Sequence, residues 1–191
     1  MLCQIEDTTT RDMVMLDRSL SVVRVLDEII LPNSNTEEAC RVFQERTAPW
    51  IARQNSVELR IYGDAAGGAR STAGKSDYQI IREFFRRATQ YRASYHVPQA
   101  NPAVRDRINA MNSKLCNSLG IVGLLVDPKC KRLVKDLEQV AWKADSNGRM
   151  TGEIDKSNAE LTHVSDALGY LIEREFGLRE KGGERGGPFV G

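Results

Sequence analysis

The stretch Ser21-Val22-Val23-Arg24-Val25-Leu26-Asp27-Glu28-Ile29-Ile30-Leu31 constrains the fold most. It is rich in β-branched residues and stops at Pro32, so it reads as a strand. Asn33-Ser34-Asn35-Thr36-Glu37-Glu38 follows at once, with short polar cap residues and then acids, which is a helix start. That helix is expected to run to Arg53, with Pro49 as a possible break. A strand that hands over to a helix within a few residues needs a sheet with helices on its faces.

The same alternation recurs. Cys3–Glu6 reads as the end of a strand, and Met13–Leu16 as another strand or part of the same hairpin. Val57–Tyr62 alternates like a strand and closes on Gly63-Asp64-Ala65-Ala66-Gly67-Gly68. Helices are expected over Asp77–Arg92, Asn101–Asn117 and Asp127–Lys143, with a strand at Ile121–Val126. Ala144–Glu160 is polar and reads as a loop or weak hairpin. Strands first, then strand–helix alternation, predict an α/β fold with a mixed central sheet flanked by helices. At 191 residues the chain is expected to form one domain over 1–177 with a flexible, Gly-rich tail at 178–191.

Charge and cysteine usage narrow the function classes. A formal net charge of +1 gives no global basic field, so any polyanion must be met by local patches. No apolar run is long enough to span a membrane, and the N-terminus turns acidic at Glu6 and Asp7. The expected location is the cytoplasm. Cys3, Cys40, Cys116 and Cys130 are scattered with no CxxC pair, as buried thiols of a reducing compartment would be.

Two carboxylates stand out. The stretch 162–172 reads as an amphipathic helix capped by Thr162, with Leu161, Val164, Leu168, Leu171 and Ile172 facing a core. His163, Asp166 and Tyr170 follow an i, i+3, i+7 ladder on one face. A short acid is a poor helix former mid-helix. Spacing alone leaves two readings of Asp166 open, a solvated surface acid or a metal-binding carboxylate. Asp64 falls just past a strand end, where α/β sheets bind ligands, beside glycines that permit close approach. An ordinary Asp-Gly turn explains it equally well.

Gly68-Ala69-Arg70-Ser71-Thr72-Ala73-Gly74-Lys75-Ser76 follows a strand and precedes a helix, like a phosphate-binding loop. The spacing fails, because position 69 holds Ala where the first glycine belongs. A basic loop touching a nucleic-acid backbone through Arg70 and Lys75 fits better. Arg105, Arg107 and Lys114 lie on one predicted helix and Lys129, Lys131, Arg132 and Lys135 on the next. Solvated faces are the default reading of such runs, and a local DNA-facing surface is the other.

Five segments, in order, resemble the C-terminal nuclease domain of tailed-phage terminase large subunits, the DNA-packaging motor proteins. They are Val25-Leu26-Asp27-Glu28-Ile29 with Asn35-Thr36-Glu37-Glu38; Tyr62-Gly63-Asp64-Ala65-Ala66-Gly67; Asn101-Pro102-Ala103-Val104-Arg105-Asp106-Arg107-Ile108-Asn109; Val126-Asp127-Pro128-Lys129-Cys130; and Thr162-His163-Val164-Ser165-Asp166-Ala167-Leu168-Gly169-Tyr170. The resemblance implies an RNase H-like fold and an Mg²⁺- or Mn²⁺-dependent endodeoxyribonuclease that cuts concatemeric double-stranded DNA by two-metal phosphodiester hydrolysis. It implies Asp64 and Asp166 as catalytic metal ligands and His163 as a residue that orients a ligand or contacts substrate. The partners it implies are DNA, an upstream ATPase domain, the portal and the small terminase subunit, in the host cytoplasm.

One departure matters. The family's first metal-binding Asp, near the start of its first strand in an Asp-Phe-Asn-like segment, has no counterpart here. The resemblance places Met1–Glu6 inside that strand, so the domain reads as N-terminally truncated with its first strand incomplete. Glu6 and Asp7 come too late to replace the missing acid. The alternative is therefore a catalytically impaired RNase H-like remnant that binds DNA or packaging partners without cutting. A nucleotide-binding loop at 68–76 is the third reading.

Overall fold

A computed structural model describes residues 2–6, 21–68, 74–139, 142–154 and 163–177. The fold is mixed α/β. β1 (Leu2–Glu6) pairs antiparallel with β2 (Val22–Asp27), and β2 pairs parallel with β5 (Leu124–Val126). β3 (Val57–Ile61) and β4 (Tyr91–Tyr95) form a separate parallel pair. β6 (Trp142–Ala144) and β7 (Met150–Ile154) form a hairpin. The single central sheet expected from the sequence is thus present in two pieces, β1-β2-β5 and β3-β4. Among the described residues no strand pairs with the edge of β1 away from β2, or with the edge of β3 away from β4.

The helices begin where capping chemistry allows. In α1 (Thr36–Ile51) the Asn35 side chain accepts from the Glu38 N–H, and Glu37 and Glu38 complement the N-terminal dipole. Pro49 does not break α1 but sits within it. α2 (Asp77–Arg87) starts with a capping box between Ser76 and Gln79. The other caps come from distant segments. Both Glu28 carboxylate oxygens accept from α4 (Lys131–Gln139), at the N–H groups of Arg132 and Leu133. Asp136, fully buried, accepts from the Val164 and Ser165 N–H groups of α5 (His163–Phe176).

Several boundaries differ from the sequence reading. β2 ends at Asp27, four residues short, because the acids after it turn to Arg46 and to the start of α4. The predicted helix 77–92 stops at Arg87, and β4 follows after the three residues Ala88, Thr89 and Gln90. The predicted helix 101–117 is α3 (Val104–Leu115). The helix predicted over 127–143 is shorter, and the polar stretch after it is the β6–β7 hairpin. Thr162, the expected cap of α5, and the tail lie outside the described residues.

Two apolar clusters result. Val23, Val25, Leu124, Ala110, Met111, Leu133, Leu168 and Ile172 gather β2, β5, α3, α4 and α5. Cys40, Ile51, Phe85, Ala88 and Tyr91 gather α1, α2 and β4, with Leu59 and Ile61 of β3 against them. Among the described residues no helix is long and apolar enough to cross a membrane.

Candidate functional site

Asp64 leaves β3 on a short turn whose shape is set by its own side chain. Asp64 Oδ1 accepts from the Gly67 N–H at 3.0 Å. The next backbone group, the Ala65 N–H, donates to Asn101 Oδ1 at 2.7 Å, which ties the turn to the segment leading into α3. The Tyr78 hydroxyl donates to the Asp64 carbonyl at 2.8 Å. The Tyr78 ring lies so close to this turn that a Cβ on Gly63 would collide with its hydroxyl, and one on Gly67 would come within 2.9 Å of the ring. The close approach read from these glycines is therefore made by Tyr78.

Asp166 sits in the first turn of α5, where the helix dipole favours a carboxylate. Its Oδ1 accepts from Arg107 Nη1 at 2.7 Å. Arg107 comes from α3, and its guanidinium also lies 4.5 Å from the centroid of the Tyr170 ring. α3 packs on α5 beside Gly169, where even a Cβ would meet the Arg107 side chain only at ordinary contact distance.

Tyr170 packs against the Arg107 guanidinium. Burial raises its phenol above the ordinary tyrosine range; Arg107 opposes this, and Asp64 and Asp166 both add to it. Tyr78 is pushed up to about 12 by burial first, with Asp64 and Tyr170 adding. The segment from Asn101 to Arg107 ties down both acids, Asn101 at the Asp64 turn and Arg107 at Asp166, although the acids are far apart in the chain. Tyr78 adds its bond to the Asp64 carbonyl. Sequence reasoning placed Tyr170 on the Asp166 face and offered Arg107 as a DNA contact, but gave Asn101 and Tyr78 no role in the site. Asn101 and Arg107 carried a signal in the segment beginning Asn101-Pro102, and Tyr170 in the segment beginning at Thr162; Tyr78 carried none.

The remaining predicted residues divide. His163 is the exposed first residue of α5. Arg105 is exposed on α3, as a DNA-facing residue would need to be. Lys75 is exposed and paired with Glu83 at 2.6 Å. Arg70 lies outside the described residues. Arg107 was expected on a solvated basic face or as a DNA contact; instead it is 7% exposed and spends its charge on Asp166. Lys114, on the same predicted face, is 3% exposed, donates to the Ser21 carbonyl and lies 3.8 Å from the Phe176 ring centroid. Long basic stems reach acceptors through apolar surroundings, which periodicity alone does not register. Of the 68–76 loop, residues 69–73 lie outside the described residues; at its end the Ser76 hydroxyl caps α2 and Lys75 turns to Glu83.

The donor chemistry of Asp64 and Asp166 suits a hard divalent cation, which is held in many proteins by one or two carboxylates with water completing its shell. Among the described residues, Oδ1 of each acid is the oxygen engaged by a protein donor, which leaves Oδ2 of each for an ion. No cluster of three or more His, Cys, Asp or Glu among the described residues is arranged to hold a metal. Asp27, Glu28 and Asp127 form a second acidic group, but Arg46, the α4 N-terminus and the Lys129 N–H occupy them. No family model matches the chain, and comparison with curated proteins and with solved structures finds no match.

Proposed function

We propose that the chain is a metal-dependent DNA endonuclease module of the terminase type, with an RNase H-like arrangement, acting in the cytoplasm during DNA packaging. The observation that supports this reading is that one segment ties down both acids, Asn101 at the Asp64 turn and Arg107 at Asp166, all in segments that the sequence resemblance had already picked out. In this reading Asp64 and Asp166 hold Mg²⁺ or Mn²⁺ through their Oδ2 atoms. When bound, such an ion polarises a phosphodiester and lowers the pKa of water. The protein's own part is to fix the acids. Gly67 and Asn101 hold the Asp64 turn, and Arg107 orients Asp166 while neutralising part of its charge. In this reading exposed Arg105 contacts the phosphate backbone, and Lys75 does so by leaving Glu83.

A second reading, a DNA- or partner-binding module that does not cut, is favoured by the Arg107–Asp166 ion pair, which a cation must compete against. Plasmid nicking in Mn²⁺, read beside Mn²⁺ binding by electron paramagnetic resonance, separates the two. Nicking and binding that both vanish in Asp64→Asn and in Asp166→Asn support the nuclease. DNA binding without nicking or Mn²⁺ binding in the unaltered chain supports the second reading. Nicking that survives both substitutions overturns this assignment of the site.

A further inference from the structure

Asp166 and Arg107 meet in a packed contact that occupies one oxygen of the acid. Arg107 Nη1 donates to Asp166 Oδ1 at 2.7 Å. The guanidinium also faces the ring of Tyr170, which stands one helical turn beyond Asp166 on α5. The Arg107 side chain is 8% exposed, whereas that of Asp166 is 27% exposed. Arg107 Nε is buried and, among the described residues, makes no hydrogen bond. The ion pair is therefore made end-on through one nitrogen, not as a two-pronged fork, and it covers one carboxylate oxygen.

A guanidinium enclosed this deeply needs its counter-charge, because a buried charge without a partner is costly. A cation that enters the site therefore takes Asp166 beside Arg107 and not in its place. It cannot use Oδ1 as well. Carboxylate oxygens hold Ca²⁺ at about 2.3–2.6 Å, so an ion on Oδ1 would sit within about 5 Å of Nη1, cation against cation in a partly buried site. Asp64 is limited in the same way by a neutral donor, since its Oδ1 accepts from the Gly67 N–H. Each acid then offers Oδ2 alone.

Carboxylates that bind through one oxygen suit some cations better than others. Ca²⁺ takes about six to eight oxygens and gains from carboxylates that bind through both of theirs. Mg²⁺ is octahedral, keeps several waters and is satisfied by one or two carboxylates. Mn²⁺ accepts the same octahedron of oxygens. An arginine that withholds one oxygen therefore costs the larger ion more than the smaller ones.

We propose that Arg107 sets the cation selectivity of this site: by holding Oδ1 it restricts Asp166 to ligation through one oxygen and disfavours Ca²⁺ against Mg²⁺ and Mn²⁺. The inference rests on the reading of Asp64 and Asp166 as metal ligands. It goes beyond that reading by assigning the choice of ion to a residue that never touches the ion.

Competition for Mn²⁺ bound to the full chain, followed by electron paramagnetic resonance, tests it. The quantity read is the Ca²⁺ concentration that displaces half the Mn²⁺, divided by the Mg²⁺ concentration that does so. A ratio cancels the general gain in cation affinity that follows the loss of any positive charge. The unaltered chain is expected to prefer Mg²⁺. Arg107→Met, which keeps the apolar stem and frees Oδ1, should lower the ratio about fivefold or more. Arg107→Lys, which keeps a cation at Oδ1, and Arg174→Met, which removes an exposed charge from α5, should leave it within about twofold. Arg107→Gln carries the test if Arg107→Met loses its native circular dichroism. A ratio unchanged in the folded variant, a fall of equal size in Arg174→Met, or a preference for Ca²⁺ in the unaltered chain overturns the selectivity role and leaves the metal site standing. Mn²⁺ that fails to bind the unaltered chain, or binds Asp64→Asn and Asp166→Asn as tightly, overturns the metal-site reading and this inference with it.

Discussion

At the scale of single residues, the Asp64 turn is held by contacts that no local rule predicts. Gly63 is needed because the Tyr78 hydroxyl occupies the space a Cβ would take. Gly63→Ala is expected to cost about 2 kcal/mol through overpacking. Adding Tyr78→Phe removes the colliding oxygen, so the double variant should recover part of that loss in urea denaturation. Simple additivity would show that the collision is not the cause. Cys40 gives a separate test. Burial pushes its thiol up from 9.0 to about 11, with Glu37 adding. The folded state therefore favours the neutral thiol, and its contribution is full below the ordinary thiol value and lost as pH rises toward about 11. Between those values unfolding free energy should fall with pH, and Cys40→Ala should flatten that slope. Tyr78 and Cys3, each pushed up to about 12, leave a remainder.

At the scale of elements, the dependence of helix on helix shows in the caps. The α5 N-terminus, which presents Asp166, is held by Asp136 of α4. Asp136→Ala should destabilise the fold by about 2–3 kcal/mol, from a lost cap and unsatisfied donors. Asp136→Asn, which keeps an acceptor oxygen, should cost less. Equal losses in thermal melts would argue against the capping role. Much of this level was legible in advance. The starts of α1 and α2 were visible because Asn35, Ser76 and the acids after them act on their own neighbours. β4 was not: Tyr91 and Tyr95 continue an apolar spacing that helix and strand share over so short a run, and pairing with β3 decides the outcome. The ends of β2 and α4 were misjudged because Glu28 and Asp136 serve partners far along the chain.

At the scale of the molecule, two separate apolar clusters imply uneven cooperativity. Leu133→Ala, in the cluster of β2, β5 and α3–α5, should cost about 3 kcal/mol, and Phe85→Ala, in the cluster of α1, α2 and β4, about 4 kcal/mol. Hydrogen exchange should then distinguish them. Phe85→Ala is expected to speed exchange across 36–95 far more than across 104–139, and Leu133→Ala the reverse. Uniform acceleration by either variant would mean that the halves unfold together. Tyr62, bonded to Glu175, is a direct link between them.

The sequence by itself determined the mixed α/β class, most of the elements and the two acids worth watching, because periodicity and caps act between near neighbours. Only the tertiary structure decided what the acids face and what holds them. Arg107 reaches Asp166, Tyr78 presses on Gly63, and Asn101 fastens the Asp64 turn, each through contacts between segments that chain order leaves apart. The division of the sheet into two pieces was likewise invisible, since strand pairing is a property of edges brought together by the whole fold.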